Sequence, residues 1–81
     1  MIRVIADKAR LERMRDQARL DFQFAIHALA AAYRAERRAR RAGDGDRADA
    51  WLDLVEQNRG DAHLARERYS TATLALAGMG N

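Results

Sequence analysis

His27 and His63, with Glu67 one helical turn after the second histidine, are the residues with the plainest metal-ligand chemistry. Bundle cores hold metals with ligands of this kind, projected inward from facing helices. The set is too small, because zinc takes at least three protein ligands and the chain has no Glu-x-x-His pair. Asp44, Asp46 and Asp49 look like the start of a calcium loop, but Ala48 and Val55 stand where that loop needs oxygen. These groups read better as flank histidines and a capping turn, so neither a metal nor a cofactor is expected. Arg59-Gly60-Asp61 spells an adhesion tripeptide, which acts only from a displayed loop, and here it falls inside a helical pattern. Ser70, Thr71 and Thr73 lack a Ser/His/Asp arrangement, and there is no glycine-rich phosphate loop. Paired carboxylates doing acid–base work would need a pocket. A narrow seam lined by alanine offers none, and the chain is not expected to be an enzyme.

The arginines carry the remaining chemistry. Arg34, Arg37, Arg38 and Arg41 cover one broad side of a helix, and Arg3, Lys8, Arg10, Arg13, Arg15 and Arg19 form a second basic zone. Such patches neutralise phosphates in proteins that bind nucleic acid. No recognition-helix motif or stacking aromatics accompany them. Residues 34–42 hold five arginines against one glutamate, and residues 44–56 hold five acids against one arginine. A turn between the two blocks would lay one against the other, so the basic run is expected to be largely answered within the chain.

These residues must be positioned by helices. The 81 residues include no proline and no cysteine, and alanine, the strongest helix former, is the commonest type. The first helix is expected from about Lys8 to Ala42, with Asp7 as N-cap and Met1–Ala6 as a loose arm or frayed start. Leu11, Ala18, Phe22, Ile26, Leu29 and Tyr33 form its apolar stripe, flanked by Met14 and Ala25. Gly43-Asp44-Gly45-Asp46 supplies a glycine for the left-handed C′ position and an aspartate to cap the next helix. The second helix is expected from about Arg47 to Ala77. Trp51, Val55, Asn58, Ala62, Ala65, Tyr69, Ala72 and Leu76 keep one heptad seam across Gly60, as in a coiled coil. That unbroken phase predicts one helix rather than two, with Gly78 to Asn81 frayed.

Two long helices joined by a turn at 43–46 must lie antiparallel, with facing residues whose numbers add to about 88 to 90. The fold class is therefore all-α, one helical-hairpin domain spanning residues 1–81. Leu20, Phe24 and Ala31 lie on the side of helix 1 turned away from the Phe22 stripe, and Leu64 is level with Phe24 on helix 2. A hairpin leaves these four in water. Two hairpins back to back cover them, so a four-helix bundle formed by a homodimer is expected, with the dimer favoured among homo-oligomers.

Composition points the same way. A chain this short has a marginal core and usually needs disulfides, a metal or oligomerisation. Disulfides are excluded by the lack of cysteine, which also fits a reducing compartment. The apolar run Val4-Ile5-Ala6 is too short for a signal peptide or membrane span, so a cytoplasmic protein with no membrane partner is expected. Fourteen of the 15 basic residues are arginine, a bias seen with GC-rich coding in bacteria and their phages. The function expected is binding to another protein, as a small inhibitor or adaptor of phage type. The alternative is an accessory protein that binds nucleic acid through Arg34, Arg37, Arg38 and Arg41.

Overall fold

The computed structural model describes the backbone of residues 2–79 and the side chains of residues 6–79. Helix α1 runs Ile2–Arg41 and helix α2 Gly45–Met79, and among the described residues there is no strand. The two pack against each other along their lengths as a hairpin measuring 63 × 15 × 13 Å over its Cα atoms. Helix α1 starts earlier than the expected Lys8, so Asp7 lies inside it rather than capping it, and the expected arm is helical from Ile2. Helix α2 passes through Gly60 without a break and continues to Met79. Of the expected frayed end, Gly78 and Met79 are helical, while Gly80 and Asn81 lie outside the described residues.

The turn is shorter than the expected 43–46. The Gly43 amide donates to the Arg40 carbonyl at 3.0 Å and the Asp44 amide to the Ala39 carbonyl at 2.9 Å. This pair of bonds is a Schellman C-cap, which satisfies carbonyls that the helix end would leave unpaired. It requires a left-handed residue, and Gly43 takes φ 77° without the Cβ penalty that other residues meet there. Asp44 then starts the second helix: its Oδ1 accepts the Arg47 amide at 3.1 Å, and its carbonyl accepts the Ala48 amide at 3.0 Å. The capping aspartate sits so close behind the C′ glycine that α2 begins at Gly45, two residues before the expected Arg47.

The core is almost entirely alanine. Ala18, Ala25, Ala32 and Ala39 recur every seven residues on α1, and Ala48, Val55, Ala62, Ala65 and Ala72 face them from α2. Between them lie the half-buried Phe22, Leu29, Trp51 and Asn58. A seven-residue repeat keeps one line of each helix on the other as the pair supercoils. This corrects the expected stripe of α1. Its centre is the alanine line, Ile26 and Met14 are more than two-fifths exposed at 41% and 47%, and Tyr33 is half-buried. Helix separation depends on the side chains at the contact; alanine lets the backbones close, and a large side chain on that line would hold them apart. The seam expected on α2 holds more closely, except that Tyr69 is 37% exposed and Trp51, Asn58 and Leu76 are half-buried.

Candidate functional site: an apolar face on an alanine hairpin

With alanine taking the inside, the large apolar side chains are left outside. Met14, Leu20, Phe24, Ile26, Leu52, Leu54, Leu64, Tyr69 and Leu74 are all substantially exposed. Among the described residues, Val55 is the largest side chain that is fully buried. This inversion makes the surface, rather than the interior, the place to look for function.

Phe24 and Leu64 come together. They line one groove between the helices, floored by Ala25 and Ala65 and edged by Asp21, Asp61 and Arg68. Phe24 is 77% exposed and Leu64 50%. Leu20, one turn before Phe24, is exposed on the same side of α1, and Ala31 is exposed one heptad after Phe24. All four residues singled out from the sequence thus present themselves to solvent, and Phe24 and Leu64 lie level with one another, as the facing-number rule requires. The groove's edge carries both signs of charge.

The arginine run is disposed differently from the expectation. Arg40 bonds to the carboxylate of the largely buried Glu36 within α1 and lies 3.6 Å from Asp49 across the turn end. Arg34, Arg37, Arg38 and Arg41 are exposed and, among the described residues, have no carboxylate within 4.0 Å. The acidic block therefore answers only one of the five arginines directly. Of the five, Arg40 is the one whose guanidinium comes within 4.0 Å of an acid of that block. Arg38 also borders a cleft with Arg47 and the half-buried Trp51. A second cross-helix link joins the Arg59 guanidinium to the Tyr33 hydroxyl, with Glu56 holding Arg59 from within α2 at 3.3 Å. Arg59 and Asp61 are exposed on continuous helix rather than on a loop.

His63 Nε2 lies 3.0 Å from Glu67 Oε1, both exposed, and Ser70 and Thr71 border the same shallow groove together with Arg66. The His63–Glu67 pair read from the sequence thus shares one face of α2 with Ser70 and Thr71, hydroxyls that the sequence analysis treated separately. The pair is open to water, and no hydroxyl hydrogen-bonds to His63 among the described residues. His27 is exposed on α1. Among the described residues, no three His, Cys, Asp or Glu side chains converge as a metal site would require. No helix there is long and apolar enough to cross a membrane.

The opposite side of the hairpin carries a groove that sequence reasoning did not find. Phe22 and Gln23 of α1 and Tyr69 of α2 line it, with Arg19 on one helix and Arg66 on the other. The signal that could have found it was present: Arg19 and Phe22 are one turn apart, as are Arg66 and Tyr69, and the hairpin register sets the two pairs level. Comparison with protein-family models, with curated proteins and with solved structures finds no match to this chain.

Proposed function

We propose that the chain is a non-enzymatic protein that self-associates through Leu20, Phe24, Ala31 and Leu64. Two hairpins pack back to back as a four-helix homodimer, and the dimer acts by binding another protein in the cytoplasm, in the manner of a phage-type inhibitor or adaptor. The observation that supports this is the placement of Phe24 and Leu64 in one exposed groove above an alanine core. Covering the exposed part of a phenylalanine contributes about 3 to 5 kcal/mol, taking the ring's area at 25 cal/mol per Å². A two-fold contact uses the patch twice, which with Leu20 and Leu64 is comparable to the association cost of roughly 4 to 15 kcal/mol. Asp21, Asp61 and Arg68 at the rim give the face both signs, as a surface that meets its own copy needs.

Light scattering tests the dimer. At micromolar concentration the wild type is expected at the mass of two chains, and Phe24→Asp at the mass of one, with reduced helicity where the fold depends on assembly. A wild-type mass of one chain overturns self-association.

A second reading, nucleic-acid binding by Arg34, Arg37, Arg38 and Arg41, is favoured by the lack, among the described residues, of carboxylate partners for these four side chains. It requires affinity for nucleic acid that falls steeply as salt rises, a dependence that an apolar helix-face contact does not share.

A further inference from the structure

The two interhelical grooves differ in charge, and the difference bears on what each receives. The Phe24–Leu64 groove has Asp21 and Asp61 beside Arg68. The groove on the other side has Arg19 and Arg66 and no acid in its lining, and among the described residues neither arginine has a carboxylate within 4.0 Å. A second copy of the chain presenting this same face would set arginine against arginine. Between the two cations lie the half-buried Phe22 and the partly exposed Tyr69, one from each helix, which together make an apolar strip across the groove.

We propose that this groove is the site at which the protein holds its protein partner, and that the partner presents an acidic amphipathic helix. Its apolar side chains lie along Phe22 and Tyr69, and carboxylates on its two flanks reach Arg19 and Arg66. The proposal rests on the reading of the chain as a protein binder and gives that partner a chemistry. The charges come from different helices on either side of the apolar strip, so the occupant needs a greasy centre with acid on both edges. An amphipathic helix arranges its residues in that way, with an apolar stripe bounded by polar positions. Planar guanidinium groups suit carboxylates because they can donate two parallel bonds to one acid. A nucleic-acid backbone would match the arginines but leave the apolar strip uncovered.

A phage-displayed library of random peptides selected on the intact protein tests this. The expected winners combine leucine, isoleucine or phenylalanine at helical spacing with aspartate or glutamate. As synthetic fluorescein-labelled peptides they should bind Arg19→Glu/Arg66→Glu roughly tenfold more weakly, as follows when two surface ion pairs become repulsions. Circular dichroism and light scattering should leave that variant's helicity and mass as in the wild type; Arg19→Gln/Arg66→Gln, with a smaller loss, serves if the reversal disturbs folding. Winners that are basic or uncharged, an empty selection, or binding that ignores both variants overturns the proposal. So does a single-stranded DNA that displaces the peptides and loses its own binding in the same variants, since the groove then serves a polyanion. A dimeric wild type with any of these results leaves self-association standing, and a monomer that still binds acidic peptides separates the two readings the other way.

Discussion

Ala32 is 2% exposed and sits on the buried alanine line of α1. At such a position the usual direction of core damage is reversed. An alanine has little to lose by truncation and no space to gain by enlargement. Ala32→Leu is therefore expected to cost about 1 to 3 kcal/mol through overpacking, read as a lowered urea midpoint, while Leu74→Gln, at an exposed position, should leave it nearly unchanged. The same residue shows why periodicity alone misplaces the α1 stripe. Periodicity counts Ala32 and Ile26 alike as apolar, and the larger residue draws attention. Which of two neighbouring stripes wins depends on how close the backbones come, and that is a property of the pair of helices. The exposure of Leu20, Phe24, Ala31 and Leu64 was legible because helix geometry turns Phe24 away from the Phe22 stripe, although Phe24 lies on the flank of the alanine seam, beside Ala25, rather than behind it.

At the level of the helices, glycine has two roles that substitution separates. Gly60 is in the middle of α2, its φ is ordinary, and a Cβ there would meet nothing within 4 Å. Gly60→Ala should therefore stabilise the helix by up to about 1 kcal/mol and raise Tm. Gly43 also has open space around it, but its φ of 77° is one that side chains resist. Gly43→Ala should cost about 1 to 2 kcal/mol and lower Tm. Equal effects at the two positions would mean that the turn is not held in its left-handed form. Hairpin order and the continuity of α2 were both readable, because Gly43-Asp44 is a strong stop and start signal and the heptad phase carries across Gly60. The ends were less so. Nothing in Ile2–Ala6 marks a helix beyond the absence of breakers, and a run of β-branched residues argues against one, yet α1 extends through it. By the facing-number rule this segment lies beyond Met79, the described end of α2, so it continues the helix that follows it in α1, where each added residue needs no new nucleus.

For the whole molecule, the single short turn has a consequence for the order of events in folding. Arg40 and Asp49, which meet beside the turn, are close in sequence, whereas Arg13 and Arg68, which border one groove towards the open end, are separated by most of the chain. Bringing two points of a chain together costs more entropy the longer the loop between them, although the cost rises slowly. Contacts next to the turn can form first, and each layer formed shortens the loop that the next must close. The hairpin should close like a zipper from Gly43 outward, in the fast regime of proteins rich in local contacts. Each alanine layer adds only a small increment, so opening should run the same path backwards. Amide hydrogen exchange should then show protection declining along both helices from the turn to the open end, and a flat profile would show instead that the hairpin opens as one unit. Along that gradient a partner gripping the open end would act as a clasp, and its arrival would be reported by slowed exchange at amides far from the turn.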